Sequence, residues 1–189
     1  MVVIAGPTGV GETTVTKAVI ATLSRGERLI TTTSRPMRPG EKQGREYYFL
    51  SKQEFQRRIR KGFFLEYIFM PSRGVYYGTE RLKIEQALKQ GKIVIANLEF
   101  RGLRVMQKEY PNTLSLFLKP ENLQQIIARK LRQHPNITKK ELALRYNEAR
   151  NELAESKHYD AVVVNREGQL RDTVKKIVTR IRAHKRTIS

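Results

Sequence analysis

The feature that most constrains this chain is a glycine-rich loop between a strand-like segment and a helix-like segment. Residues 1–5 form a short, largely β-branched apolar run that predicts a buried strand. Residues 13–23 carry apolar side chains at the spacing of an amphipathic helix, among them Val15 and Val19. A strand, a glycine loop and a helix in this order open an α/β fold.

The glycine loop, residues 6–14, fits the pattern G-x-x-x-x-G-K-[ST] at every fixed place except one. It consists of Gly6, Pro7, Thr8, Gly9, Val10, Gly11, Glu12, Thr13 and Thr14. Such glycines let backbone N–H groups converge on phosphate oxygens, and the following helix adds its positive end. Thr13 stands where a hydroxyl ligates nucleotide-bound Mg²⁺, and Glu12 replaces the lysine that bridges the β- and γ-phosphates. The alternative is a plain strand–turn–helix connection.

Strand and helix patterns alternate along most of the chain. Strand-like segments near residues 1, 28, 93, 113 and 161 predict a parallel core sheet. Two stretches break the alternation: residues 31–79 contain short β pieces, and residues 121–156 form a helical pair.

Three local patterns give finer predictions. Ser51 and Glu54 form a capping box that starts a helix through about Arg60. Residues 28–33 predict a single strand, and residues 180–186 predict a frayed basic end of the last helix.

Composition narrows the partners and the chemistry. Lys and Arg outnumber Asp and Glu by 37 to 18, and the net charge of +19 attracts polyanions such as nucleotides, nucleic acids or acidic membrane surfaces. The absence of cysteine excludes disulfides and cysteine nucleophiles, and three dispersed histidines make a histidine-built metal site improbable. The apolar runs are far shorter than the roughly 20 residues of a bilayer helix. With no signal peptide apparent, a soluble cytoplasmic protein is expected.

Six further segments carry a family resemblance. Residues 31–41 and 44–49, with Thr-Thr-Thr-Ser-Arg-Pro-Met-Arg-Pro-Gly-Glu and Gly-Arg-Glu-Tyr-Tyr-Phe, resemble the nucleoside-monophosphate-binding segment of guanylate kinases. Matching motifs follow in the family's order at residues 63–66, 76–79, 97–102 and 159–165. The resemblance extends from about Val2 to Ile181.

The resemblance implies a P-loop fold made of one domain in three parts. The core comprises residues 1–31, 80–120 and 157–189. A small mixed α/β GMP-binding subdomain occupies residues 32–79, and a helical lid occupies residues 121–156.

The chemistry of several residues and the roles that the resemblance implies for them both predict a GMP-binding pocket. A doubly charged phosphate requires guanidinium forks and hydroxyls, which Arg35, Arg38, Tyr47 and Tyr77 can supply. By resemblance, a carboxylate accepts from the guanine N1 and N2 donors, hydroxyls lie near O6, and two further carboxylates line the site. The carboxylate that accepts from guanine is Glu66, and the hydroxyls near O6 are those of Thr31 and Thr79. The two further carboxylates are Glu41 and Glu99. Taken singly, the arginines and glutamates are more typical of solvated surface, and Tyr47 or Tyr77 could belong to the core. Their combination in the family's order favours the pocket.

The sequence departs from the family pattern in the lid and beside the expected metal site. Arg145 matches a lid arginine, whereas Lys130 and His134 stand where the family usually has arginines. Arg129 and Arg132 flank those positions and could substitute for these arginines after a small change of register. Asn97 stands where an acidic residue is common, and Asn165 matches the residue that usually contacts adenine.

The expected reaction is ATP plus GMP giving ADP plus GDP, with Mg²⁺ on the ATP phosphates and no covalent enzyme intermediate. Because Glu12, His134 and Asn97 depart at catalytic positions, GMP binding is better supported than turnover. The alternative is a catalytically inactive GMP-binding or protein-interaction module. No motif for specific nucleic-acid binding accompanies the charge, and either a monomer or a homodimer is expected.

Overall fold

The computed structural model describes residues 1–71, 73–133 and 135–188. The strands are β1 Val2–Ala5, β2 Gly26–Arg28, β3 Thr32–Thr33, β4 Tyr48–Phe49, β5 Phe64–Met70, β6 Val75–Glu80, β7 Ile93–Ala96, β8 Leu114–Pro120 and β9 Ala161–Asn165. The helices are α1 Glu12–Thr22, α2 Lys52–Arg60, α3 Arg81–Lys89, α4 Phe100–Glu109, α5 Leu123–Gln133, α6 Lys139–Ala154 and α7 Leu170–Ile188, with a 3-10 turn at Glu155–His158.

These elements fall into two compact units. The middle unit is Glu27–Val94, and the loop unit is Met1–Gly26 together with the chain from Ile95 onward. The chain passes between the units within β2 and again within β7. The glycine loop and the segment predicted as a lid lie in the loop unit, and the segment predicted as a GMP-binding subdomain lies in the middle unit.

The predicted parallel core sheet is confirmed. Its five strands have the order β2-β7-β1-β8-β9, and β1 pairs in parallel with both β7 and β8. All four residues of β1 are buried, as expected for a strand covered on both faces. This arrangement brings the carboxyl ends of β1 and β8 to the same edge of the sheet, where the glycine loop follows β1.

Helices α1 and α7 pack together in the loop unit, and their buried side chains form part of its core. The predicted fraying of residues 180–186 is wrong, because α7 continues to Ile188. The buried stripe of Val174, Ile177, Val178 and Ile181 holds this helix to the core. Further along, the His184 ring nitrogen lies 3.0 Å from the Asn112 carbonyl oxygen.

The middle unit contains a mixed four-stranded sheet of order β4-β3-β6-β5. The predicted strand over residues 28–33 is two separate strands, because β2 ends at Arg28 in the five-stranded sheet and β3 pairs with β4 and β6 in this one. A run of β-branched residues predicts extended backbone but does not specify its pairing partner.

Helix α2 covers one face of this sheet. Of the predicted capping box, the N-cap half is present: the Ser51 hydroxyl accepts from the Glu54 amide at 3.1 Å, whereas the Glu54 carboxylate bonds Arg57 and Arg58. The fully buried Phe55 ring stacks on Phe64 and Tyr76, with centroids 4.3 and 5.2 Å away. Because side chains alternate along a strand, the opposite face of the sheet is left for polar groups.

Candidate functional site

The glycine loop curls as the pattern predicts. Gly9 and Gly11 have φ values of 96° and 97°, in the left-handed region that favours glycine. The Val10 amide donates to the Pro7 carbonyl at 2.9 Å, closing the turn. A Cβ atom on Gly6 would lie 2.5 Å from the Leu118 carbonyl oxygen, so only glycine fits where the loop leaves β1.

Glu12 is the first residue of α1, directly after the Gly11 cap. The first amides of a helix lack internal partners and carry a partial positive charge. A carboxylate in this turn stabilises the helix, typically by 0.3–1 kcal/mol. The same charge opposes an external anion at the same helix end, whereas the lysine of the usual pattern would attract it.

The loop is held through its carbonyl oxygens. The Arg129 guanidinium on α5 donates to the Val10 carbonyl at 2.6 Å and to the Gly9 carbonyl at 3.3 Å, and it pairs with Glu167 at 3.1 Å. The buried Asn165 amide donates to the Val10 carbonyl at 2.8 Å. In the structure, Asn165 therefore anchors the loop.

A carboxylate from α6 reaches the other side of the loop. Glu152 accepts a hydrogen bond from the Thr8 amide at 3.0 Å, although 144 positions separate the two residues in the sequence. Burial raises the pKa of the Glu152 carboxyl, while the Thr8 amide acts in the opposite direction. Burial also raises the pKa of the nearby Tyr159 hydroxyl, with the negative charge of Glu12 adding to the effect. Two carboxylates, Glu12 and Glu152, therefore lie at the loop.

The basic residues expected on the lid differ in their surroundings. Arg145 pairs with Glu148 at 2.9 Å, and Arg132 pairs with Glu167 at 2.8 Å. Lys130 lies against the glycine loop, because its Cε atom is 3.6 Å from the position that a Cβ atom would occupy if Gly9 carried a side chain. His134 lies outside the described residues.

Two other expected residues of the loop unit occupy defined places. The side-chain amide of Asn97 donates to the Ile4 carbonyl at 3.1 Å and to the Thr16 hydroxyl at 2.9 Å. These bonds connect the loop after β7 to β1 and α1. Glu99 is the N-cap residue of α4, with extended backbone.

In the middle unit, Arg35 and Glu41 form a part-buried pair. One guanidinium nitrogen of Arg35 donates to both carboxylate oxygens of Glu41, at 2.8 and 3.0 Å. The Arg38 amide donates to the same carboxylate at 2.7 Å. The hydrogen bond from Arg35 is the main cause that lowers the pKa of the Glu41 carboxyl, so the pair stays charged at neutral pH.

Aromatic rings fix the position of the Arg35 guanidinium. It lies 5.6 Å from the ring centroids of both Tyr47 and Phe49. Tyr47 contacts Tyr77 edge-on, with centroids 5.7 Å apart. Burial raises the pKa of the Tyr47 hydroxyl, so it remains a proton donor at neutral pH. A guanidinium and two phenols are thus brought together.

Glu66 and Thr79 lie opposite each other on β5 and β6. The buried Thr79 hydroxyl donates to the Glu66 carboxylate at 2.6 Å. Thr79 and Tyr77 are two residues apart on β6 and so share a face of the sheet. The Thr31 carbonyl accepts from the Tyr48 amide at 2.9 Å just before β3, where this edge of the sheet begins.

The described structure therefore brings the predicted middle-unit residues onto one polar face. Arg35 bonds Glu41 and lies over the Tyr47 ring, and Tyr47 contacts Tyr77. Glu66 with Thr79 continues the face along β6. Arg38 is exposed and lies on the same loop as Glu41. Such a face offers a guanidinium and hydroxyls at one part and a carboxylate beside a hydroxyl at another.

Comparison with known proteins assigns the family. The model of the family described as "Guanylate kinase" matches residues 1–184. The chain belongs to the guanylate kinase family. Among its relatives, a guanylate kinase of Symbiobacterium thermophilum is 39% identical over 168 residues, which cover 87% of this chain and 77% of the relative. A guanylate kinase of Thermotoga maritima is 31% identical over 189 residues, covering 99% of this chain and 88% of the relative.

A solved structure supports the same fold. The crystal structure of guanylate kinase from Anaplasma phagocytophilum superimposes with a TM-score of 0.74 at 23% identity, covering 97% of this chain and 84% of that one. The predicted α/β P-loop fold and the predicted family are confirmed for this guanylate-kinase-family chain. No helix among the described residues is long and apolar enough to cross a membrane.

Sequence reasoning missed two residues of this guanylate-kinase-like site. Arg129 was expected as a substitute for a lid arginine and not as an anchor of the loop, and Glu152 was not expected at all. Both bond the backbone of the glycine loop. The available signal was helical spacing, since Arg145, Ala149 and Glu152 recur at intervals of four and three on α6.

Proposed function

We propose that this chain transfers the γ-phosphoryl group of ATP to GMP, at a rate lowered by Glu12. The observation that carries the proposal is the polar face of the middle unit, where Arg35 and Glu41 are paired beside Tyr47 and Tyr77. A guanidinium held in place before the ligand arrives loses little freedom on binding a phosphate. Membership of the guanylate kinase family supports GMP as that ligand.

On the GMP side, Arg35 and Arg38 are proposed to bind the phosphate, with hydrogen bonds from Tyr47 and Tyr77. Glu41 keeps Arg35 in position through two short bonds to the guanidinium. The Glu66 carboxylate accepts from the guanine N1 and N2 donors. Three residues complete the proposed pocket: Thr31 and Thr79 near O6, and Glu99.

On the ATP side, the glycine loop is proposed to bind the triphosphate through its backbone amides. The left-handed Gly9 and Gly11 permit the curl that such binding requires. The residues also fit Mg²⁺, because the exposed Thr13 hydroxyl stands in the first turn of α1 and is an oxygen ligand of the kind that Mg²⁺ prefers. When bound with ATP, Mg²⁺ would neutralise charge on the phosphates. Thr14 and Asn165 complete the proposed ATP side.

The lid is proposed to be residues 121–156, and the GMP-binding subdomain residues 32–79. In phosphoryl transfer most of the catalysis is positioning and electrostatic stabilisation, with water excluded. Arg145, Lys130 and His134 are the proposed lid cations. A GMP phosphate oxygen attacks the γ-phosphorus in line, and ADP leaves without a covalent enzyme intermediate.

Glu12 is proposed to slow this reaction. A carboxylate about 4 Å from a phosphate charge is repelled by roughly 4 kcal/mol at an effective dielectric constant of about 20. Mg²⁺ and rotation of the side chain into solvent reduce that figure but leave its sign unchanged. Glu152 adds a second negative charge at the loop, on the Thr8 amide.

The second candidate is a guanylate-kinase-like module that binds GMP or a protein without catalysis. Glu12 in the loop favours it, because it replaces the one cation that the pattern requires. Either function suits a cytoplasmic protein that acts on nucleotides without specific nucleic-acid partners, as a monomer or a homodimer.

A coupled assay for ADP release, with GMP and Mg-ATP together, separates the two candidates. The enzyme gives ADP that depends on GMP and is not formed with AMP. The module binds GMP in calorimetry yet releases no ADP above the rate without GMP. Absence of both GMP binding and ADP release would contradict both.

A further inference from the structure

We propose that the middle unit carries a second anion site, which binds a phosphate monoester of a small polyol. The site is a cavity of about 200 Å³, lined by one face of α3, by the end of β2 with the two residues after it, by Tyr48 of β4 and by Val94 of β7. Every lining residue belongs to the middle unit. None of them is among the residues proposed to bind GMP or ATP, so the inference does not rest on the proposed phosphoryl transfer.

The wall that α3 contributes is one face of the helix. Lys83, Gln86, Ala87 and Gln90 recur at intervals of three and four residues, so their side chains point to the same side. Ala87 is buried, whereas the amide side chains of Gln86 and Gln90 are exposed. Each of these amides offers both hydrogen-bond donors and an acceptor to a ligand.

The rest of the lining combines apolar side chains with an aromatic ring. Leu29 and Val94 are buried and, with Ala87, form the apolar part of the cavity. The Tyr48 ring lies beside the Lys83 ammonium, whose nitrogen is 4.5 Å from the ring centroid. This cation–π contact holds the ammonium at the cavity without neutralising its charge.

Two cations of the lining have no anion within the part of the chain that the structure describes. The side chains of Arg28 and Lys83 are half-buried, and among the described residues neither forms an ion pair or a hydrogen bond. The lining also contains the Glu27 carboxylate, which lies 3.8 Å from the Lys92 ammonium. Because Lys92 offsets that carboxylate, the cavity keeps the positive charge of Arg28 and Lys83 and favours an anionic ligand.

The charge and the size of the cavity define the class of ligand. Two cations match the nearly two negative charges of a phosphate monoester at neutral pH. A guanidinium binds two phosphate oxygens through its planar fork, and an ammonium binds as a point charge. Sites for drug-sized ligands occupy roughly 300–1,000 Å³. A cavity of about 200 Å³ takes a smaller molecule than a nucleoside triphosphate, with the two glutamine amides available to polyol hydroxyls.

The test is a calorimetric titration with ribose 5-phosphate, carried out in saturating GMP so that the GMP pocket does not contribute. Ribose and inorganic phosphate are titrated in the same way, which separates the contributions of the polyol and of the anion. Lys83→Met and Arg28→Met each remove one cation and keep a long side chain. Lys89→Met, at an exposed lysine on α3 outside the lining, is the matched control.

We expect Lys83→Met and Arg28→Met each to weaken ribose 5-phosphate binding at least about tenfold, since each removes a charge-assisted contact. Lys89→Met should leave this binding within about twofold, inorganic phosphate should bind at least about tenfold more weakly than ribose 5-phosphate, and ribose should not bind. GMP affinity and the melting temperature, measured on each variant, report that the protein is folded. Arg28 also acts electrostatically on Tyr47, so Lys83→Met is the variant on which GMP affinity should stay the same.

Ribose 5-phosphate binding that survives both substitutions would lie elsewhere, for instance at the glycine loop, and would overturn the inference. An equal loss in Lys89→Met would overturn it as well, because the effect would then be that of net charge. Absence of binding by the parent protein at millimolar ribose 5-phosphate has the same consequence. Inorganic phosphate that binds as tightly as the sugar phosphate would overturn the assignment of the polyol. A protein that fails to bind GMP contradicts the proposed function alone, since the comparison of the variants still decides this site.

Discussion

The polar face of the middle unit and the glycine loop of the loop unit differ in how they keep the family pattern. The middle-unit residues match the family motifs, and their side chains are paired with one another, as in Arg35 with Glu41 and Thr79 with Glu66. The glycine loop keeps the backbone shape but carries Glu12 at the position of its cation. The glycine loop thus has the backbone shape of the G-x-x-x-x-G-K-[ST] pattern but the opposite charge at the position of its lysine.

The difference separates two physical requirements of a nucleotide kinase. Recognition of a nucleoside monophosphate needs a fixed set of donors and acceptors, which a paired network provides before the ligand arrives. Phosphoryl transfer needs positive charge where negative charge develops. A single substitution at the loop reverses the sign of the local charge without altering the fold, so binding and turnover can change separately.

The largest expected effect concerns nucleotide choice in the middle unit. GMP should bind about a thousandfold more tightly than AMP, because the Glu66 carboxylate accepts from the two guanine donors but repels the adenine N1 acceptor. Glu66→Gln should remove most of this preference. Calorimetry with both nucleotides measures it, and Glu85→Gln on α3 serves as the control. Equal affinity of the parent protein for GMP and AMP would disprove the pocket assignment.

The next effect concerns the loop. Glu12→Lys should raise the GMP-dependent rate of ADP formation at saturating Mg-ATP by at least about a hundredfold, or roughly 2.7 kcal/mol of barrier. Glu27→Lys adds the same charge at an exposed carboxylate of β2 and should leave the rate unchanged within about twofold. A parent protein that is already as fast as Glu12→Lys would show that position 12 does not limit the reaction.

A smaller effect is expected at the GMP phosphate. Arg38→Ala removes a charge-assisted contact worth roughly 1.5–3 kcal/mol, so GMP binding should weaken while guanosine binding stays the same. Competition binding with both ligands gives the ratio. Should guanosine weaken equally, Arg38 would hold the loop in shape instead of binding phosphate. Arg45→Ala, at another exposed arginine of the same unit, provides the comparison.

The smallest effect is a pH dependence of stability. The Arg35 guanidinium lowers the pKa of the Glu41 carboxyl from 4.5, so the pair stabilises the folded state fully above that value. This stabilisation is lost as the pH falls below 4.5 and through the lowered pKa of the folded state. Urea unfolding of the parent and of Glu41→Gln should give a constant difference in unfolding free energy above about pH 5 that shrinks in acid. A difference that grows in acid would contradict the pairing.

Local patterns predicted local structure well. The glycine loop and the Ser51 N-cap depend on neighbours in sequence, and both occur as expected. The prediction of one strand over residues 28–33 was wrong because the two ends of this segment join different sheets. The β-propensity of a residue does not specify the strand with which it pairs. The end of α7 was wrong, because the helix continues to Ile188, past its last buried side chain, Ile181, with the His184 ring beside the Asn112 carbonyl.

Contacts between distant residues were beyond sequence reasoning. Glu152 meets the Thr8 amide across 144 positions, and Arg129 meets Val10 across 119. Neither pairing leaves a motif at fixed spacing, because it depends on how α5 and α6 pack near the loop. The identities of the middle-unit residues could be predicted from family motifs, while their pairings, such as Thr79 with Glu66, required coordinates.

The central claim, that Glu12 weakens the binding of the ATP phosphates and leaves GMP binding intact, is tested most directly by calorimetry on the parent and on Glu12→Lys. Each protein is titrated with GMP and, separately, with Mg-ATP. The account predicts that the GMP dissociation constant changes by less than about twofold, while Mg-ATP binding tightens by at least about tenfold, or roughly 1.4 kcal/mol. An unchanged affinity for Mg-ATP, or an equal shift for both nucleotides, would contradict it.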